Sequence, residues 1–145
     1  SAVYTDYQVC MEQTKPDLVV LCPPTGEHAL WVERIAPYGT HLFVEKPFAS
    51  SLAGADRMIA AAEKTGKELV INWPIRWLPV YYTTWRLIEE GLIGEIIEVH
   101  HYGGNRGPLY HGAEKIECEP SAADKQKSWW YSLEKGGGSL RDYLG

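Results

Sequence analysis

Three short apolar runs, Asp17-Leu18-Val19-Val20-Leu21-Cys22, His41 to Val44 and Glu68 to Ile71, alternate with segments of helical periodicity. Each run is too short for a helix and is closed by turn-forming residues, so each predicts a strand. After the first, Pro23-Pro24 stops the strand, Thr25 is placed to cap a helix running to about Ala36, and Tyr38-Gly39 turns the chain back. After the second, Ser50-Ser51 is a further capping signal. Leu52, Ala55, Ile59 and Ala62 then recur at helical spacing before the stop at Thr65-Gly66. Strand, helix, strand, helix, strand is the pattern of a parallel sheet with right-handed crossovers, half of a doubly wound α/β domain. The unbroken apolar character of the 17–22 run further predicts a strand buried on both faces. A short helix over Thr5 to Gln13 is expected before it.

Beyond Asn72-Trp73-Pro74 the pattern changes. A helix from about Pro79 to Glu90 carries Tyr81, Trp85, Ile88 and Leu92 on one face, and Gly91 and Gly94 lead into an expected strand from Glu95 to Tyr102. Gly103 to Lys127 is polar, contains Gly and Pro and has weak periodicity. A stretch of that length points to a functional loop or an excursion over the surface. Trp129-Trp130-Tyr131 and then Gly136-Gly137-Gly138 precede an expected helix from Ser139 onward.

Composition removes several classes of function. With a net charge of -5 and no basic cluster, the chain is not built for nucleic acid. No apolar stretch approaches the ~18 residues of a membrane span. Cys10, Cys22 and Cys118 form no close ligand pair and leave one unpaired in any disulfide scheme, which favours a reducing, cytoplasmic compartment. The histidines show no zinc spacing, since His100-His101 would point to opposite faces of a strand; no metal site is expected.

Glu45-Lys46-Pro47 follows directly on the second apolar run and so places a lysine at the carboxyl end of a strand, where open α/β sheets bind ligands. A lysine desolvated there has its pKa lowered toward the range useful for proton transfer. Pro47 fixes its own φ and restricts Lys46, so that backbone covalency helps to aim the side chain. The alternative is a lysine in a surface loop beside its own counter-ion.

The strand ending in Cys22-Pro23-Pro24, His28 shortly after, Glu45-Lys46-Pro47, the turn Gly91-Leu92-Ile93-Gly94-Glu95 and the run Gly136-Gly137-Gly138-Ser139-Leu140-Arg141-Asp142 together resemble the Gfo/Idh/MocA oxidoreductases. The resemblance runs nearly end to end. It implies an amino-terminal Rossmann domain that binds NAD or NADP, and a second, α+β domain with a mostly antiparallel sheet that covers the nicotinamide and holds the substrate. On that reading residues 1–73 are the C-terminal part of the Rossmann domain and residues 74–145 begin the substrate domain. No G-x-G-x-x-G occurs, and Gly136 to Gly138 fail that pattern because Arg141 stands where the last glycine belongs. The expectation is therefore a fragment that starts about two strands into the fold and is inactive alone. Its full-length parent would be a homo-oligomer acting on a small-molecule sugar, cyclitol or polyol.

The resemblance also implies roles. Lys46 and Asp142 would share the substrate hydroxyl in acid–base catalysis; a histidine often follows that aspartate by four residues in the family, but that position, 146, lies one past Gly145, so the residue is neither claimed nor excluded. Asp142 alternatively serves as a first-turn helix carboxylate. Cys22, Pro23, Pro24, His28, Glu45, Lys46, Pro47 and Asn72 fall on the cofactor side. His28 is otherwise a capping or helix-surface residue, Glu45 a partner for a neighbouring base, and Asn72 a turn former. Arg76, Trp77, Trp129 and Trp130 suit a polyhydroxylated ring, or else pack in a core or interface. Tyr110 and His111 belong to a pocket or to a subunit contact. Two further functions share the fold: a glycosidase that uses NAD for transient oxidation, and a non-catalytic nucleotide-binding or regulatory protein.

Overall fold

The three apolar runs form one parallel sheet in the computed structural model, which describes residues 2–100 and 120–138. Strands β1 (Leu18–Leu21), β2 (His41–Glu45) and β3 (Leu69–Asn72) lie in the order β1-β2-β3. The register runs from Leu18↔His41 to Leu21↔Val44 and from Leu42↔Leu69 to Glu45↔Asn72. β2 is therefore central, and all three strands end at one side.

Local chemistry sets the helix boundaries. Helix α1 (Tyr7–Thr14) starts where the Asp6 carboxylate accepts the amides of Gln8 at 2.7 Å and Val9 at 3.3 Å. Helix α2 (His28–Ile35) is entered through a 3-10 turn, Thr25–Glu27, with no side-chain cap; the expected cap, Thr25, is instead buried. Helix α3 (Leu52–Thr65) begins with Ser51 Oγ accepting the Gly54 amide at 3.1 Å and ends on Gly66 at φ 66°, a left-handed turn that glycine adopts without steric penalty.

These helices close over one face of the sheet. Leu21, Leu42 and Val44 pack with Met11 of α1, Ala29, Val32 and Ile35 of α2 and Met58 of α3 in a single core, flanked by Val19, Leu69 and Ile71. Full burial of a side chain such as Val32, Val44 or Met58 contributes about 1.5–3 kcal/mol. The alternate row, Val20↔Phe43↔Val70, looks the other way. Leu18 and Val20 are 54% and 57% exposed, which corrects the expectation of a strand buried on both faces: among the described residues only one face is covered.

A 3-10 turn, Pro74–Trp77, leads into helix α4 (Pro79–Glu89), whose Tyr81 and Trp85 are exposed among the described residues. Gly91 and Gly94 take the left-handed φ that the turn requires. The strand expected from Glu95 to Tyr102 is not present over residues 95–100, and its last two residues lie outside the described ones. A strand exists only by pairing, and no described strand pairs with this segment. Helix α5 (Ala122–Lys127) opens on a capping box, Ser121 Oγ accepting the Asp124 amide while the Asp124 carboxylate accepts the Ser121 hydroxyl and amide. Those two bonds hold the Asp124 carboxyl below its ordinary range. A 3-10 turn, Trp129–Tyr131, follows; the helix expected from Ser139 lies outside the described residues.

Candidate active site

Because the strands are parallel, the loops after Leu21, Glu45 and Asn72 share one rim. Lys46 stands half-buried at the exit of the central strand, and Pro47, joined to it by a cis peptide, is buried. Glu45 Oε2 accepts the Lys46 amide at 3.3 Å, while Glu45 Oε1 accepts from Asn72 Nδ2 at 2.6 Å. The carboxylate thus ties the ends of β2 and β3 together, and both of its oxygens already serve protein donors.

His28 lies in the first turn of α2 and is 1% exposed. Its Nε2 is 3.1 Å from the Pro23 carbonyl oxygen and its Nδ1 is 3.3 Å from that of Phe48. A neutral imidazole donates one of these bonds and an imidazolium donates both. Either way the ring sits between the loop after β1 and the loop after β2, below the rim rather than on it. Cys22 is exposed, and Pro23 and Pro24 are half-buried beside it.

Arg76 leaves the rim along the next segment. Its guanidinium lies 6.0 Å from the Trp77 ring centroid, and together with Tyr81, Tyr82 and Trp85 they line a cavity of about 440 Å³. Trp129 and Trp130 are half-buried and reach the sheet by another route: the Gly26 amide donates to the Lys135 carbonyl at 2.9 Å, fastening the turn after the tryptophans to the loop after β1. Asp142, Tyr110 and His111 lie outside the described residues. Among the described residues no group of three or more His, Cys, Asp or Glu is placed to hold a metal ion, and no helix is long and apolar enough to cross a membrane.

Several participants escaped the reading from sequence. Gly26, Gly136 and Gly137 meet backbone at distances that leave no room for a side chain. Ser128 Oγ and Tyr131 Oη are buried without a hydrogen-bond partner among the described residues. The run of three consecutive glycines was the available signal for the first set; nothing in the pattern around Ser128 and Tyr131 signalled the second. For the burial of His28 a signal existed, since residues 28, 32 and 35 share one helical face and Val32 and Ile35 are core residues.

Known proteins are similar to this chain in sequence and fold. D-apiose dehydrogenase of Paraburkholderia graminis is 32% identical over 92 residues, covering 63% of this chain and 24% of that protein. Inositol 2-dehydrogenase of Salmonella typhimurium is 28% identical over 116 residues, covering 78% of this chain and 34% of that protein. The WlbA dehydrogenase of Bordetella pertussis, solved in complex with NADH and UDP-GlcNAcA, matches with a TM-score of 0.58 at 27% identity, covering 62% of this chain and 28% of that one. The chain spans 24% and 34% of the two curated relatives named. Residues 1–73, half of the chain, match the model of the Gfo/Idh/MocA family, an oxidoreductase family with an NAD-binding Rossmann fold, and the chain belongs to that family.

Proposed function

We propose that these residues carry the nicotinamide-facing part of an NAD(P)-dependent dehydrogenase for a sugar, cyclitol or related polyol. The observation that carries this reading is the position of Lys46, which directly follows the last residue of the central strand at the carboxyl end of a parallel sheet. Ligands of open α/β sheets bind at that end.

Oxidising a carbinol breaks its C–H and O–H bonds and forms a carbonyl. The C–H electron pair leaves as hydride, and the hydroxyl proton needs a base within hydrogen-bond reach. Lys46 Nζ, in its neutral form, is that base, and Asp142 shares the same hydroxyl and helps to relay the proton. Bound NAD(P) supplies the hydride acceptor. An exposed Cys22 and a half-buried Lys46 on adjacent strand ends leave an open polar rim that fits the nicotinamide end of a dinucleotide. No glycine-rich phosphate loop occurs in the sequence, so the fit extends to that end alone. Cys22, Pro23, Pro24, Glu45, Pro47 and Asn72 form the cofactor rim, and His28 acts on it from below. Residues 74–145 begin the substrate domain, with Arg76, Trp129 and Trp130 contacting the sugar ring.

Two of the similar proteins are named for a sugar and for inositol, which supports this substrate class. The test is a polyol and sugar panel with the full-length protein. NADH or NADPH accumulation with one member supports the dehydrogenase; sugar release without accumulation assigns the glycosidase instead; dinucleotide binding with no turnover on the panel overturns both.

A further inference from the structure

The loop after β1 and the turn after the tryptophans meet without any side chain between them. A Cβ built on Gly26 would stand 2.8 Å from both the carbonyl carbon and oxygen of Lys135, and one on Gly136 would stand 2.6 Å from the Gly26 nitrogen. A Cβ on Gly137 would stand 2.2 Å from the Trp130 carbonyl oxygen, so the same turn folds back against the tryptophans as tightly as it docks on the loop. Real Cβ contacts of that length do not occur, and each neighbour is backbone that cannot swing aside. One hydrogen bond crosses the contact, Gly26 N–H to Lys135 O at 2.9 Å, and two hold the turn itself, Gly137 N–H to Ser132 O at 2.9 Å and Gly136 N–H to Leu133 O at 3.1 Å. Gly136 and Gly137 are buried, as is Thr25, whose Cβ lies 3.0 Å from the position a Gly136 Cβ would take. The hydrogen bond joins residues 109 positions apart in the chain (26 and 135), directly beside the cofactor rim.

We infer that Gly26, Gly136 and Gly137 are positioning residues, a backbone seam that sets Trp129 and Trp130 against the nicotinamide rim. The inference rests on the dehydrogenase reading above for its catalytic consequence, but not for its geometry. A displacement of about 1 Å at such a joint can lower a rate about a hundredfold with no contact to the substrate lost.

Gly26→Ala is the informative variant. Gly26 does not occupy the left-handed region, so alanine is compatible with its backbone, and only the seam is disturbed. Gly39, at φ 71° with nothing near its Cβ position, supplies the contrast: Gly39→Ala strains the backbone at a turn away from the seam. In the full-length protein Gly26→Ala should lower kcat at least about tenfold while the dinucleotide Kd and the melting temperature stay near wild type, and Gly39→Ala should lower the melting temperature and leave kcat unchanged. Independently of activity, the amide at position 26 should exchange at least about tenfold faster in Gly26→Ala while the amides of β2 keep their protection. Unchanged kcat together with unchanged exchange at position 26 would overturn the seam, as would global unfolding of Gly26→Ala, which would make Gly26 a folding residue. If the wild-type protein transfers no hydride, the dehydrogenase reading fails while amide exchange still decides whether the seam exists.

Discussion

Asn72 Nδ2 donates to Glu45 Oε1 at 2.6 Å, bridging the last paired residues of β3 and β2. The bond is short and charge-assisted, and the other carboxylate oxygen accepts the amide of Lys46. The orientation of the lysine backbone is thereby coupled to a strand that the lysine does not belong to. Removing the amide should be felt at both places. Both side chains are partly solvated, so Asn72→Ala is expected to destabilise the sheet by only about 1 kcal/mol. A double-mutant cycle with Glu45→Gln should show a coupling of at least about 0.5 kcal/mol by denaturant unfolding. Strictly additive effects would mean that the two side chains do not hold each other in solution.

On the proposed reading the chemistry turns on Lys46. Lys46→Met keeps the length of the side chain and removes its nitrogen, so hydride transfer in the full-length protein should vanish while dinucleotide affinity stays within about tenfold. Asp142→Asn should depress the chemical step, seen in single-turnover rates, more than it shifts the melting temperature. Turnover retained in Lys46→Met would remove the amine from the mechanism. A melting shift with unchanged turnover in Asp142→Asn would leave Asp142 a helix-start carboxylate.

The parts of this molecule that local chemistry determines were legible. The runs Asp17 to Cys22, His41 to Val44 and Glu68 to Ile71 carry strands, in parallel and in sequential order, because each is a short apolar run separated from the next by an amphipathic helix. The exposure of Leu18 and Val20 was not legible, because an apolar strand reads the same whether or not something lies over its second face. The segment after Gly94 illustrates the same limit from the other side: its residues favour a strand, but pairing is decided by a partner elsewhere in the chain. Lys46 could be placed from its position after a strand, a local fact, whereas the meeting of Gly26 with Lys135 and Gly136 joins distant segments through backbone alone, and no periodicity connects them.

His28 braces two loops, and the brace has a testable cost. His28→Phe keeps most of the ring volume but leaves the Pro23 and Phe48 carbonyls without the imidazole. A neutral ring donates to one of the two carbonyls, and leaving that buried acceptor unpaired costs about 1–3 kcal/mol, the loss expected from the denaturation midpoint at unchanged m. His28→Gln, whose amide can still donate, should recover part of that loss. A change below about 0.5 kcal/mol in His28→Phe would show that neither carbonyl depends on the ring.

The Tyr131 hydroxyl presents the opposite case. Its ring is well used: it meets Trp130 edge-on at a centroid distance of 4.9 Å and lies 6.0 Å from Lys125 Nζ. Its oxygen is buried with no partner among the described residues, and the same holds for Ser128 Oγ in the same turn. A buried hydroxyl without a hydrogen bond gives up its hydration for nothing, a penalty of about 1–3 kcal/mol. Tyr131→Phe removes that oxygen and leaves both ring contacts in place, so stability should be unchanged or raised by up to about 1 kcal/mol, against the usual direction for a core substitution. Ser128→Ala should behave in the same way, since it too deletes an unpaired hydroxyl and little volume. Thermal and denaturant unfolding of both variants provide the measurement. A loss of more than about 1 kcal/mol in Tyr131→Phe would mean that the hydroxyl is hydrogen-bonded in solution, and the turn that carries the tryptophans would then be held by side-chain polarity as well as by its glycines.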